Sequence, residues 1–153
     1  AVVKLSGMMR YVLSEATTDF VSLEKEIVYI KNYIDLQKIR FGESISLVFT
    51  INGTTNEHQI APLVLISFIE NAFKHGVNAE EDSDIKIKIN IAENELFLYV
   101  FNKKVTVNIS EENKSGLGVE NTRNRLELLY PKRHKLSIYD TEEQYSVELS
   151  IVL

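Results

Sequence analysis

Five polar side chains, Ser67, Glu70, Asn71, Lys74 and His75, interrupt the most apolar stretch of the chain. Around them, between Pro62 and Gly76, stand Leu63, Val64, Leu65, Ile66, Phe68, Ile69, Ala72 and Phe73. That density of apolar residues predicts a largely buried helix, with Pro62 in its first turn and Gly76 at its end. At about 100° per residue the five polar positions fall within one arc of roughly 140°. A buried helix does not carry an acid, an amide, an amine and an imidazole without partners. The arc either faces water, as on any amphipathic helix, or forms one wall of a polar ligand site.

A second feature is Ser115-Gly116-Leu117-Gly118-Val119-Glu120-Asn121, where a long polar stretch leads into a helix expected over 119–130. Glycines allow close backbone approach to a ligand, and free N–H groups at a helix start attract phosphate. Lys114, Arg123 and Arg125 add positive charge nearby. The pair is not a Walker A loop, since no Gly-Lys-Ser/Thr follows, and the third glycine of a dinucleotide fingerprint is missing. Alone it reads equally as a turn or cap. Taken with the polar helix, it describes a Mg-nucleotide pocket. Asparagine and carboxylate oxygens suit hard Mg²⁺, while lysine and a helix start neutralise phosphate charge.

These groups need a scaffold. Leu5, Met8, Met9, Val12, Leu13 and Ala16 share one helical face. Ser22 caps a second helix with the stripe Leu23, Ile27, Ile30 and Ile34, stopped by Phe41-Gly42. Ser44 to Ile51 alternates as a strand and 52–56 is a polar loop. Ile85, Ile87, Ile89 and Ile91 alternate with polar residues, Glu93-Asn94 turns, and Leu96 to Phe101 returns. Lys103 to Ser115 lacks helical patterning and reads as loop. Two last strands, 135–139 and 145–152, flank an acidic turn. Hairpins at 85–101 and 135–152 argue for an α/β (α+β) two-layer sandwich, with helices on one face of a mixed, largely antiparallel sheet.

Composition bounds the function. The 153 residues are 44% hydrophobic and 25% charged, a globular balance for one domain. Cysteine is absent, which removes disulfides, thiolate metal clusters and a cysteine nucleophile. The three histidines, His58, His75 and His134, are too far apart for a His-x-x-x-His zinc site. A net charge of −5 offers no broad basic footprint, so no nucleic-acid partner is expected. No apolar run approaches the roughly 20 residues of a membrane span, so no membrane contact by these residues is expected.

Phe68-Ile69-Glu70-Asn71-Ala72-Phe73-Lys74-His75-Gly76 resembles the N box of the ATP-binding domain shared by histidine kinases, gyrase and MutL, and Gly116-Leu117-Gly118-Val119-Glu120-Asn121 resembles its second glycine box. The flanks Leu5-Ser6-Gly7-Met8-Met9-Arg10-Tyr11, Tyr33 to Phe41 and Arg125 to Pro131 are similar to LytS/YehU-type sensor histidine kinases. The resemblance implies a two-component kinase domain using ATP and Mg²⁺. Glu70 would polarise the attacking group or orient a water, and Asn71 would hold Mg²⁺. Lys74, His75, Lys114, Gly116, Leu117 and Gly118 would sit at the phosphates, with 103–115 as a mobile lid. Asn121 and Arg125 would support the pocket. Residues 1–20 would end the dimerisation and phosphotransfer helix, and 21–153 would be the catalytic domain.

Two departures qualify it. Where the family reads adenine with an Asp-x-Gly-x-Gly box, this chain has Asn102-Lys103-Lys104. Asn102 can accept from the adenine amine, though more weakly than a carboxylate. The family's Pro-His-Phe phosphoacceptor motif is absent, and His58 and His134 read as surface-loop and strand-edge residues. Phosphoryl transfer would then go to a histidine outside these residues, and they alone would not autophosphorylate. The resemblance further implies a homodimer, a response regulator of the LytTR type, and a cytoplasmic domain of a membrane-anchored bacterial sensor. The rival readings are a pseudokinase of the same fold and an anti-sigma-factor-type serine kinase.

Overall fold

Alternation on the central strands sets the sheet and decides which face is covered. The computed structural model describes residues 2–153 apart from 16, 17, 43, 44, 107 and 108, with the backbone alone at 14, 15 and 109–117. Strand β4 (Ile85–Ala92) buries Ile85, Ile87, Ile89 and Ile91 and exposes the residues between them. Its hairpin partner β5 (Glu95–Lys103) buries Leu96, Leu98, Val100 and Asn102. With β2 (Leu47–Asn52), β6 (His134–Asp140) and β7 (Gln144–Val152) they form a five-stranded sheet in the order β2-β4-β5-β7-β6. Only the β2–β4 pair is parallel. The sheet is therefore mixed and largely antiparallel, as expected. A two-residue pair, β1 (Val21–Ser22) with β3 (Gln59–Ile60), closes one end.

The helices cover the isoleucine face. The first, α1 (Val2–Arg10), runs into a π-helical turn over Tyr11–Glu15. Helix α2 (Leu23–Phe41) starts where Ser22 Oγ accepts from the Lys25 N–H at 3.2 Å, the expected cap, and buries Leu23, Ile27, Ile30 and Ile34. Helix α3 (Val64–Gly76) packs on β4 and β5 and against α4 (Ile109–Leu129), and its apolar positions are all buried. Pro62 and Leu63 form a turn ahead of α3 rather than its first turn. Gly53 is required where it stands: φ is 102°, and a Cβ there would sit 2.0 Å from the Ile91 carbonyl oxygen. Ala16 and Ser44, read above at element ends, lie outside the described residues.

One expectation fails. The last helix begins at Ile109, not near Val119, so much of the stretch read as loop is helical. Glutamates 111 and 112 lie in or beside the first turn, where the macrodipole favours acids, and Glu and Lys are good helix formers. The segment lacks the apolar stripe by which a helix is recognised, and so it read as loop. In consequence Gly116 and Gly118 lie inside α4 rather than at its N-terminus.

Candidate functional site

The entry to α3 is held by three side chains, Glu26 of α2, Arg125 of α4 and Tyr130 just past the end of α4. Ala61 N–H donates to Tyr130 Oη at 2.9 Å, Arg125 donates to the Pro62 carbonyl at 2.7 Å, and Leu63 N–H donates to Glu26 Oε1 at 2.9 Å. Tyr11, in the π-helical turn, donates to the other Glu26 oxygen. Leu63 is left-handed, with φ of 64°. Such a backbone costs on the order of 1–3 kcal/mol for a residue with a Cβ, and persists only where its surroundings over-determine it. Glu26 is fully buried, and desolvation pushes its pKa up against its hydrogen bonds from Tyr11 and Leu63 and the Arg125 charge. The sequence does not signal this role. An acid at that position looks the same whether it meets water or a backbone amide.

Along α3 the polar arc emerges on the open side. Asn71, Lys74 and His75 are half-buried and Glu70 is exposed, while Phe68, Ile69, Ala72 and Phe73 are buried. Asn71 and His75 line one cavity of about 290 Å³ together with Lys104, Val119, Glu120, Asp140 and Tyr145. That volume lies near the lower end of small-molecule sites, roughly 300–1,000 Å³. Across it, Lys104 Nζ pairs with Asp140 at 2.5 Å. The start of the expected lid is tied down at the rim. Lys104 N–H donates to the Glu143 carbonyl at 2.8 Å, Val105 N–H to the His75 carbonyl at 2.9 Å, and Thr106 N–H to Glu81 Oε2 at 2.7 Å.

The expected site residues fall into groups. Asn71 and His75 meet in the cavity; Lys74 shares their arc without lining it. Glu70 turns toward α2, where its charge joins burial in raising the pKa of Tyr29 and Tyr33. Partial burial pushes the Glu70 carboxyl up as well. Arg125 acts on the start of α3, and Asn121 is exposed. Gly118 is exposed, with open space around a would-be Cβ. The side chains of Lys114 and Leu117, and the surroundings of Gly116, lie outside the described residues. Asn102 is fully buried at the end of β5, close enough to α3 that a Cβ on Gly76 would lie 2.9 Å from its own Cβ. Its Oδ1 is, among the described residues, a buried acceptor with no hydrogen-bond partner. His134 sits on edge strand β6 with Nδ1 2.7 Å from the Tyr130 carbonyl. The cavity residues missed by the sequence reading, Asp140 and Tyr145, are assembled by strand pairing and carry no motif.

The family model described as histidine kinase matches residues 1–45. The Sensor protein kinase HptS of Staphylococcus aureus strain USA300 is 28% identical over 96% of this chain. The chain is similar to a sensor histidine kinase over nearly its whole length. It spans 31% of the length of that curated relative. A nucleotide-free catalytic domain of the histidine kinase ThkA superposes with a TM-score of 0.60 at 16% identity, covering 87% of this chain and 93% of that one. The Acinetobacter baumannii histidine kinase AdeS does so with a TM-score of 0.56 at 11% identity, over 99% of this chain and 76% of that one. At such identities the likeness establishes the fold, the α/β sandwich of histidine kinase catalytic domains.

Proposed function

We propose that this chain is the ATP-binding catalytic domain of a two-component sensor histidine kinase of the LytS/YehU type, which passes the ATP γ-phosphoryl group to a histidine outside these residues. The observation that carries the reading is the meeting of Asn71 and His75, both of the motif on α3, in one polar cavity beside the base of the 103–118 segment. Among the described residues no group of three acidic or imidazole ligands stands ready for a metal. A Mg²⁺ ion held by the Asn71 side-chain oxygen, phosphate oxygens and water needs none. ATP supplies the phosphoryl group when bound; the protein's part is positioning and charge stabilisation. Asn71 would hold the metal, His75 and Lys74 would face the phosphates, and Lys114, Gly116, Leu117 and Gly118 would close over them. Glu70, its carboxyl pushed up by partial burial, would polarise the attacking imidazole. Asn102, with an acceptor awaiting a donor, would take the adenine amine. Asn121 and Arg125 would hold the pocket's frame, Arg125 through the Pro62 carbonyl.

One of the structural neighbours is the complex of ThkA with the response regulator TrrA, at a TM-score of 0.55. That complex supports a response regulator as partner here, and we take it to be of the LytTR type. The described residues hold no helix long and apolar enough to cross a membrane; a cytoplasmic domain of a membrane-anchored sensor accords with this. Titration calorimetry with ADP and Mg²⁺ tests the reading: one site is expected, with Asn71→Ala weakening the Mg-dependent part by about 1–3 kcal/mol. Unchanged affinity in that variant would remove Asn71 from the site. Absence of nucleotide binding in the wild type would instead favour a pseudokinase, the reading that Asn102 and Lys104 in place of aspartate and glycine keep open.

A further inference from the structure

Alternation gives the five-stranded sheet two unlike faces. Helices α3 and α4 pack on the face that buries the β4 isoleucines. The other face should carry polar residues, as on any sheet with one solvated side. On β4 it does, with Lys86, Lys88 and Asn90 exposed. On β5 it carries Phe97, Tyr99 and Phe101 instead, each half-buried. Val48 on β2 is 47% exposed and Tyr139 on β6 is 54% exposed. Strand register sets both in one row with Phe101, through Lys86 and Ser146. Directly paired residues project to the same face, so these apolar side chains share one open side of the sheet. Apolar residues gathered on an open face mark an interaction site.

The arrangement about β5 decides what fits there. β5 is the central strand, with β4 and β2 on one side and β7 and β6 on the other. A two-fold axis laid along β5, between two such faces, sets β4 of one copy over β7 of the other and β2 over β6. Lys88 and Glu148, which flank Tyr99 in its row, then meet each other twice. Val48 meets Tyr139, Lys86 meets Ser146 and Lys135 meets Asn52. Over the three rows from Phe97 to Phe101 no two like charges are opposed. An isologous contact needs such self-complementarity, and like charges face to face in an interface are strongly unfavourable. An axis across the strands would instead oppose Lys88 with its own copy. We propose that this face is an interface with a second copy of this chain, packed sheet on sheet with the strands aligned. Five strands about 4.8 Å apart and three rows about 6.8 Å apart give a patch of roughly 24 by 20 Å. That is small for a stable interface, so the contact is weak. Helix α1 packs on α2 in the helical layer, so a contact through α1 leaves the open face accessible. The interface does not rest on the nucleotide reading.

Charge reversal tests it. Lys88→Glu or Glu148→Lys alone opposes like charges twice in a homodimer, whereas mixing the two variants restores both pairs. All samples also carry Leu5→Glu and Leu13→Glu, which put charge on the exposed side of α1. They are read by NMR, at the high protein concentrations that a weak contact needs. Raising the concentration of the chain with Lys88 and Glu148 intact should slow its translational diffusion and move backbone amide resonances of β4, β5 and β7. Either reversal alone should weaken this self-association at least about tenfold while the spectrum of a folded chain is kept. Titrating unlabelled Glu148→Lys into isotope-labelled Lys88→Glu should bring the shifts on the same strands back. No concentration dependence with both charges intact, shifts confined to the helical layer, self-association unchanged by reversal, or a mixture that behaves as the sum of its parts would each overturn the interface.

Discussion

Glu26 concentrates several constraints in one side chain. It accepts from Tyr11 of the π-helical turn and from the Leu63 amide at the start of α3. Glu26→Ala would strand both donors in the interior, so unfolding stability should fall by about 2 kcal/mol or more in urea titrations. Its pH dependence has a definite sign. Burial raises the folded-state pKa above the ordinary 4.5, so between those two values the native state holds a proton that the unfolded chain has released. The contribution is full below about 4.5 and is lost as pH rises through the folded value. Glutamine can accept from Leu63 through its oxygen and donate to Tyr11 through its nitrogen. Urea midpoints measured from pH 4.5 to 7 should therefore fall with pH in the wild type more steeply than in Glu26→Gln. Parallel slopes would refute the assignment of that dependence to Glu26.

At the scale of elements, α4 is the unexpected one. Its two internal glycines each cost about 1 kcal/mol relative to alanine. Gly118 has open space around a would-be Cβ, so Gly118→Ala should stabilise the domain by about that amount in thermal melts. If nucleotide binding re-forms residues 103–118 over the phosphates, the same variant should bind Mg-ADP more weakly despite being more stable. Amide exchange carries the complementary expectation: a non-hydrolysable ATP analogue should raise protection over 103–118 and at the 70–76 end of α3. Full protection of 103–118 without nucleotide, or protection appearing only elsewhere, would sink the lid assignment. The tether from Val105 N–H to the His75 carbonyl is the contact through which the two segments should respond together.

For the whole molecule, the feature that stands out is the face of α1. Met8 and Tyr11 are buried against α2, with the rings of Tyr11 and Tyr29 5.1 Å apart. Leu5, Met9 and Leu13, from the same expected apolar face, are 51%, 55% and 72% exposed. An apolar stripe left open on α1 marks an interaction surface. If residues 1–20 end a dimerisation helix, as we propose, a second copy of this chain is the occupant. Sedimentation equilibrium should show concentration-dependent dimerisation, abolished by the pair Leu5→Glu and Leu13→Glu without loss of the folded circular-dichroism spectrum. A monomer at all concentrations would mean that these residues alone do not make that interface.

How much of this was legible depended on the range of the interaction. Period-two alternation at Ile85–Ile91 and the stripe Leu23, Ile27, Ile30 and Ile34 report burial directly, so the hairpins, α2 and the one-sided sandwich followed from the chain alone. The polar arc on α3 was equally local, because 3.6-residue geometry puts Asn71 and His75 on one face whatever they meet. The start of α4 was not legible, since helix-forming polar residues carry no apolar period. Nor was the fate of Glu26 and, far from it in sequence, of Arg125 and Tyr130, which converge on consecutive backbone groups at 61–63. The row of Asn102, Tyr145 and Asp140 depends on strand register, a relation between segments that no single segment encodes. Local periodicity therefore determined which residues could do chemistry, and only the packing of strands and helices decided which of them share a cavity.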